Sequence, residues 1–419
     1  MEPAAIAPET ESQRLDVLDG LRGLALIVVV LSHSWLLYSV GSVDEHHWTR
    51  AILRNGNAAV TVFLVASGYL TYRALSGRRG LEKMRLDVTL LRRILRVGPS
   101  LWLMLGVLML VAVVDSTDTV SAANNRLSVL HVLTYTWNWF VQDNLLNARP
   151  DLGHLWYLSV DMQAFVLMSL FVYMLRRRPV GILFALLGFY LLLVWWRFHL
   201  TGTEDTFFVL LRTTARMDAF VLGVLVGAAV SWLAAQSWFV ADRRWLDAAV
   251  VVSLALLLPL FWWCAINPTG GGDRSFLRWG GTMLQLDLAV FVGAIALGGV
   301  GGPPGRALAH PVIAGLGRRS LSLYIWHFVV FHFVARHTTD WDWPQRVVVA
   351  ALITVSICVA VDFVVERRVV RLLRSPRWRA LDAGVPAYVR SKVRRRPVTS
   401  TGETASDAAA PAPGAHSRR

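Results

Sequence analysis

Ten runs of about 20 mostly apolar residues constrain this chain more than any other feature of its sequence. An α-helix needs about that length to cross the hydrocarbon core of a bilayer. The composition agrees, because 55% of the 419 residues are hydrophobic and only 17% are charged. We therefore predict an all-α integral membrane protein with about ten transmembrane helices. The predicted spans are 20–41, 57–76, 92–114, 153–175, 180–200, 207–232, 246–266, 280–300, 311–335 and 346–366.

Basic residues flank these spans on alternate sides of the membrane. Lysine and arginine accumulate in cytoplasmic loops, whereas the opposite loops here carry mixed or acidic charge. Both termini are therefore predicted to be cytoplasmic. The basic residues that indicate this orientation are Arg14, Arg73, Arg78, Arg79, Lys83, Arg85, Arg92, Arg93, Arg96, Arg176 to Arg178, Arg243, Arg244, Arg306, Arg318 and Arg319.

The net charge of +14 is concentrated after the last span. From residue 367 onward there are thirteen basic and three acidic residues, which account for +10 of the total. A polybasic segment next to a membrane helix is typical of binding to anionic lipids, so nucleic acid is not expected as a partner. We predict a disordered segment at 1–13, a membrane domain at 14–370, and a basic, largely disordered cytoplasmic tail at 371–419.

Several kinds of chemistry have no support in the sequence. Cys264 and Cys358 both lie in apolar runs, without the spacing of a zinc site or a disulfide framework. There is no P-loop, no dinucleotide-binding glycine motif and no metal-ligand spacing, and Ser67 lacks the first glycine of a nucleophile elbow. We expect no metal and no permanently bound cofactor.

The first span carries ionisable residues that are costly inside a membrane. Arg22 and His33 are eleven residues apart, which places them on one face of a helix and roughly 16 Å apart along its axis. Asp19 lies one turn before Arg22 and can pair with it. A neutral imidazole can take a proton from an alcohol, so His33 is a candidate general base. The alternative is a histidine that only hydrogen-bonds a neighbouring helix.

Arg93 and Arg96, at the cytoplasmic start of the third span, are neighbours on one helical face. Two guanidinium groups in this arrangement can hold a phosphate. From spacing alone, an anchor for lipid headgroups is the favoured interpretation of this pair.

Further ionisable residues occur in later spans, and together they predict a polar chamber among the helices. An unpaired arginine there is costly, so Arg216 is expected to meet a carboxylate such as Asp161 or Asp218. A transporter would show the same pattern. The residues of this predicted chamber are His154, Asp161, Arg216, Asp218, Asp287 and His327.

Seven segments of the sequence, in order, resemble the landmark segments of the acyltransferase-3 family of bacterial integral-membrane O-acyltransferases, over about residues 14–370. They are RLDVLDGLRGLALIVVVLSHS, VFLVASGYLTYRAL, RRILRVGPS, GHLWYLSVDMQ, ARMDAFVLGVLVG, RSLSLYIWHF and VVERRV. Two segments depart from the family pattern. Asp161-Met162 stands where the family often has two glutamates, and Arg368 stands where it often has proline after the motif glutamate, here Glu366.

The resemblance implies a ten-helix domain of the bacterial plasma membrane. Such a domain uses cytoplasmic acyl-CoA, acetyl-CoA for example, to acylate a hydroxyl of a glycan, lipid or secondary metabolite. The family's Arg-x10-His motif corresponds to Arg22 and His33, and its Arg-x-x-Arg motif to Arg93 and Arg96. These roles make His33 the general base, assisted by Arg22 and Asp161, and make Arg93 and Arg96 the binding site for the phosphates of the donor. Acceptor binding is assigned to His154, Arg216, Asp218 and His327.

A second class of function remains open at this point. A proton-coupled transporter or flippase for an anionic or glycosylated solute could use His33, Asp161 and the arginines as its pathway. A transporter moves its substrate without consuming CoA, whereas an acyltransferase releases free CoA in the presence of an acceptor.

Overall fold

The computed structural model of the protein describes residues 11–38, 53–77, 80–266 and 273–382. Every regular element in these ranges is a helix, which confirms the all-α prediction for them. The α-helices are α1 Glu11–His33, α2 Gly56–Ser76, α3 Leu86–Val114, α4 Ala122–Leu133, α5 Trp137–Asn144, α6 Trp156–Leu175, α7 Pro179–Thr203, α8 Thr206–Leu211, α9 Thr213–Ala234, α10 Arg243–Ile266, α11 Gly281–Leu297, α12 Gly302–Leu308, α13 Pro311–Arg318, α14 Ser320–His337, α15 Trp343–Val361, α16 Arg367–Leu373 and α17 Pro376–Asp382. Shorter helical segments are Ser34–Leu37, Leu81–Lys83, Pro150–Leu155, Asp273–Ser275, Phe276–Gly280 and Asp362–Glu366.

Eight helices in the described part of the chain are long and apolar enough to cross a membrane. They correspond to the predicted spans two to eight and ten. The first and ninth spans, α1 and α14, fall short because they carry polar residues: α1 contains Asp16, Asp19 and Arg22 within its apolar stretch, and α14 contains three histidines and an arginine. The count of ten and the cytoplasmic side of both termini remain predictions.

Two predicted spans are each divided into two helices, so their continuity was wrongly predicted. The chain breaks at Arg212, whose backbone is extended, and at Arg319, which ends α13. The break before α9 is held by a side-chain pair, because Arg212 Nε lies 2.7 Å from a carboxylate oxygen of Glu204. A hydropathy window does not detect such breaks, because it averages a few polar residues at the break with the apolar residues further along both helices.

Glycines allow the central helices α2 and α9 to pack backbone against backbone. A Cβ atom at Gly68 would lie 2.0 Å from the carbonyl oxygen of Phe220, and one at Gly223 would lie 2.1 Å from that of Val65. Around this pair, α9 also contacts α6, α7 and α11, while α1 contacts α2, α13 and α14. Helices in lipid often associate through such small residues because close backbone approach gives them dispersion contacts.

The ends of the membrane domain differ slightly from the predicted boundaries. α1 begins at Glu11, three residues before the predicted domain start, and residues 1–10 lie outside the described ranges. At the other end the chain divides into two units after Leu373, close to the predicted boundary at 370. Residues 376–382 form α17, so this part of the predicted disordered tail is helical. The rest of that tail, 383–419, is not among the described residues.

Candidate active site

Three histidines predicted from different parts of the sequence meet in one cluster. His33 ends α1, His154 lies in the turn Pro150–Leu155, and His327 lies in α14. The Nδ1 atom of His33 is 2.9 Å from the Nε2 atom of His327. The ring centre of His154 is 5.3 Å from that of His327 and 6.4 Å from that of His33. We name these residues the histidine cluster.

Aromatic side chains and backbone carbonyls of α14 hold this cluster in place. The Phe328 ring packs against His33 and His154, with ring centres 4.7 and 5.0 Å apart. His154 donates from Nε2 to the carbonyl of Ile325 at 3.2 Å, and the hydroxyl of Tyr324 donates to the backbone carbonyl of His154. His154 and His327 are buried, whereas His33 is half-buried. His33 is therefore the member of the cluster most open to a ligand.

A metal ion is an alternative use for three neighbouring imidazoles. Within the described ranges, however, no three His, Cys, Asp or Glu side chains are arranged to hold one. In the histidine cluster, hydrogen bonds already occupy ring nitrogens that a metal ion would need. His154 and His327 each donate a hydrogen bond from one ring nitrogen to a backbone carbonyl, and the other nitrogen of His327 faces His33.

Arg22 lies on the same helix as His33, as the spacing predicted, and it belongs to a second polar group. Its guanidinium pairs with Asp19 at 2.9 Å, confirming that predicted contact, and it donates to the hydroxyl of Ser320 at 3.0 Å. Ser320 is the first residue of α14, the helix that also carries His327. The same two helices therefore supply residues to both polar groups.

Arg93 and Arg96 complete this second group, but their environments differ. Arg93 pairs with the buried carboxylate of Asp161 and donates to the hydroxyl of Ser67 at 3.2 Å. Arg96 is exposed, and no described carboxylate lies within salt-bridge distance of it. Its charge interacts with those of Arg22 and Arg93, so the three residues form one basic region, which we name the arginine cluster.

Tyrosines occupy the region between the arginine and histidine clusters. The ring centres of Tyr157 and Tyr324 are 5.3 Å apart, and that of Tyr324 is 5.1 Å from His154. Tyr157 lies one helical turn before Asp161 on α6. The polar side chains therefore continue from one cluster toward the other.

The predicted partner of Arg216 is wrong, because Asp161 and Asp218 are both paired with other arginines. Asp161 binds Arg93, and Asp218 binds Arg197 at 2.8 Å. Arg216 donates instead to the backbone carbonyl of Asn57 at 3.2 Å, and its guanidinium lies 4.8 Å from the centre of the Phe276 ring. The carbonyl oxygen of Asn57 and the cation–π contact with Phe276 both contribute to stabilising its charge.

Asp218 has little capacity left for an acceptor. Its carboxylate accepts from Arg197, from the side-chain amide of Gln285 at 2.9 Å and from the backbone of Ala219 at 2.8 Å. Arg197, which we did not predict, is fully buried and also donates to Thr282 at 2.8 Å. A lone arginine in the fifth span was the signal that could have indicated it. This network connects α7, α9 and α11, so it stabilises the packing of these three helices.

A second unpredicted network lies next to the turn that carries His154. Arg149 is fully buried and pairs with Asp118 at 2.6 Å and with Asp151 at 2.8 Å. Asp115, just beyond the end of α3, accepts from the Thr117 hydroxyl, and this hydrogen bond holds the pKa of its carboxyl below the usual range. These ion pairs fix the segment that ends in His154. The signal for them was the Arg149-Pro-Asp151 sequence.

The fold and the two clusters define a multi-helix membrane protein in which one helix, α1, contributes an imidazole to one cluster and a guanidinium to the other. A sequence profile that describes an acyltransferase domain matches residues 15–364. The chain belongs to this acyltransferase-3 family, which confirms the resemblance seen in the sequence.

Individual relatives agree with this assignment. The chain is similar to the O-acetyltransferase OatA of Staphylococcus aureus, with 24% identity over 83% of this chain and 55% of the relative. It is also similar to an S. aureus protein provisionally named an O-acetyltransferase, with 25% identity over 79% of this chain and 53% of the relative. A regulator of hypoxia-inducible factor 1 from Caenorhabditis elegans is 28% identical over 40% of this chain and 36% of that protein. The chain thus spans about half the length of the staphylococcal relatives. No solved structure matches it significantly.

Proposed function

We propose that this protein is an acyl-CoA-dependent O-acyltransferase of the bacterial plasma membrane. It transfers an acetyl or similar group to a hydroxyl of a glycan, lipid or secondary metabolite. The observation that carries the proposal is the placement of Arg22 and His33 on one face of α1, roughly 16 Å apart, each within its own polar cluster. An extended pantetheine arm can cross that distance, so anion binding and proton transfer can act on one donor molecule.

The arginine cluster supplies the donor site in this proposal. Arg96 is its principal phosphate ligand, because the charge of Arg93 is already partly neutralised by Asp161. A guanidinium holds phosphate through charge-assisted hydrogen bonds. Arg22 lies on the path from these phosphates toward His33 and stabilises the donor there. Asp161 acts indirectly, by holding Arg93.

His33 is the general base of the reaction. It accepts the proton of the acceptor hydroxyl while that oxygen attacks the carbonyl carbon of the thioester. The carbon–sulfur bond then breaks, and the departing CoA thiolate takes the proton from the imidazolium. The products are the ester and the CoA thiol, and His33 is neutral again. General-base assistance of this kind contributes about 10²- to 10⁴-fold to a rate.

Replacing His33 with alanine tests the general base. Purified His33→Ala protein in lipid vesicles should release CoA from acetyl-CoA about 10²- to 10⁴-fold more slowly than the wild type, measured by thiol release with a hydroxyl acceptor present. His199→Ala is the matched control, because His199 is an exposed histidine of α7 stacked on Trp195. Wild-type turnover by His33→Ala would exclude this role.

Glutamine substitutions test the donor site. Arg96→Gln should weaken CoA binding by about tenfold or more in an equilibrium binding assay, because it removes a charge-assisted contact of about 1.5–3 kcal/mol. Arg92→Gln removes the same charge from the same helix one residue before Arg93, and it should bind CoA like the wild type. Equal affinity of the wild type and Arg96→Gln would remove Arg96 from the donor site.

A transport function predicts different results in the same vesicles. Solute flux that needs no acyl-CoA, together with no acceptor-dependent thiol release, would favour a proton-coupled transporter or flippase over the proposed acyl transfer.

A further inference from the structure

The hydrogen bonds of His327 determine which of its nitrogens carries the proton. Its Nδ1 atom lies 3.0 Å from the backbone carbonyl oxygen of Leu323, one turn earlier in α14. A carbonyl oxygen only accepts hydrogen bonds, so Nδ1 of His327 must be the donor. In a neutral imidazole the other nitrogen then has a lone pair and can only accept.

The surroundings of His327 favour its neutral form. The side chain has no accessible surface, and its ring packs against those of Tyr324, Phe328 and Phe331. The other ionisable groups in contact with it are the imidazoles of His33 and His154, and no described carboxylate forms an ion pair with it. A charge buried among apolar rings and two further bases is unfavourable.

This arrangement also determines the tautomer of His33. Its Nδ1 atom is 2.9 Å from Nε2 of His327, and because that atom accepts, Nδ1 of His33 must carry the proton. The lone pair of His33 is then on Nε2. Nε2 makes no hydrogen bond to any described residue, and it is absent from the buried polar atoms that lack a partner, so it remains accessible.

We propose that His327 is a positioning residue that holds His33 in the Nδ1–H tautomer and so makes Nε2 of His33 the atom that accepts the proton. The inference rests on the proposed general-base function of His33. When His33 becomes protonated during the reaction, its Nδ1–H bond to His327 becomes charge-assisted and therefore stronger. His327 thus stabilises the imidazolium as well as the tautomer.

His154 does not take part in this chain of hydrogen bonds. Its Nε2 donates to Ile325, and its Nδ1 has no hydrogen-bond partner among the described residues. Its ring stands edge-on to both other imidazoles, at interplanar angles of 74° and 75°. His327 is therefore the member of the cluster that can orient His33.

Two substitutions at position 327 distinguish the effect of losing the hydrogen-bond acceptor from the effect of losing the volume of the ring. His327→Phe fills the site without an acceptor, and kcat should fall about 10²-fold while the KM values for donor and acceptor change less than about twofold. His327→Gln places an amide oxygen where Nε2 was, so kcat should stay within about tenfold of the wild type. His199→Phe, at an exposed histidine of α7 that belongs to neither cluster, is the matched control and should retain wild-type kcat.

The tautomer itself is measured by ¹⁵N NMR of histidine-labelled protein in lipid. We expect the His33 proton on Nδ1 in the wild type and in His327→Gln, and on Nε2 or shared between both nitrogens in His327→Phe. A wild-type proton on Nε2 of His33 would overturn the inference, and so would a folded His327→Phe protein with wild-type kcat. The NMR result does not depend on catalysis, so full activity of His33→Ala would defeat the proposed function and leave the tautomer measurement standing as a separate result.

Discussion

Burial and pairing distinguish charged side chains that stabilise the fold of this membrane domain from charged side chains that are suited to bind a ligand. The Arg197–Asp218 pair is fully buried and its hydrogen-bonding capacity is used by neighbouring groups, so it contributes to folding. Arg96, in contrast, is exposed and has no described carboxylate within salt-bridge distance. An exposed guanidinium without a carboxylate at salt-bridge distance can form charge-assisted hydrogen bonds with an anionic ligand, so Arg96 is the arginine best suited to bind one.

Asp218→Ala tests the structural part of this distinction. It leaves Arg197 buried without its carboxylate, so we expect a loss of about 3–5 kcal/mol in the free energy of unfolding. Thermal unfolding in detergent, followed by loss of monodisperse protein, measures the change. The double variant Arg197→Met with Asp218→Leu should recover much of the loss, because it removes both charges. Asp340→Ala, at an exposed position, is the control, and an equally stable Asp218→Ala protein would contradict the assignment.

Helix packing brings together residues that are far apart in the sequence. α1 approaches the segment before α14 closely, since a Cβ atom at Gly317 would lie 1.7 Å from the carbonyl oxygen of Asp19. That contact places Arg22 on α1 beside Ser320 at the start of α14. Further along the same pair of helices, α1 and α14, His33 meets His327. α1 also packs on α2, which in turn packs closely on α9.

Gly223→Ala tests the importance of the close contact between α2 and α9. The added methyl group would lie 2.1 Å from the carbonyl oxygen of Val65, so the two helices must separate. We expect a loss of about 1–3 kcal/mol in stability and a lower Tm. Gly188→Ala makes the same change on α7 where no atom lies within 4 Å, and it should leave Tm unchanged or slightly higher. Equal Tm values for the two variants would argue against tight packing at Gly223.

At the scale of the whole molecule, the candidate site lies entirely within the first unit. All residues of the histidine and arginine clusters lie between Arg22 and His327, and that unit ends at Leu373. Residues 383–419 add seven basic and two acidic residues and none of either cluster. We propose that this basic segment binds anionic lipid at the cytoplasmic surface.

Deleting residues 383–419 tests this division of roles. In neutral-lipid vesicles the shortened protein should keep wild-type kcat and Tm, because no residue of the site is lost. In vesicles that contain anionic lipid, any increase of wild-type activity caused by the anionic lipid should be smaller in the shortened protein. A large loss of kcat in neutral lipid would show that the tail contributes to the site itself.

The sequence by itself determined the all-helical membrane architecture, the positions of most spans and the family. Apolar length and basic flanks are local properties, so each span can be recognised without its neighbours. Helical periodicity likewise predicted that Arg22 and His33 share a face, because both lie on one helix. The spans and the shared helix face depend on residues that are close in the chain, and the family depends on seven such local segments occurring in order.

Only the tertiary structure decided which charges on different helices meet and which nitrogen of His33 is open. Arg93 rather than Arg216 binds Asp161, and Arg197 binds Asp218, because helix packing selects among several partners of the same charge. The breaks at Arg212 and Arg319 also depend on contacts beyond the local sequence. The approach of His33 to His327 joins residues 294 positions apart, and neither composition nor periodicity carries information about a hydrogen bond over that separation.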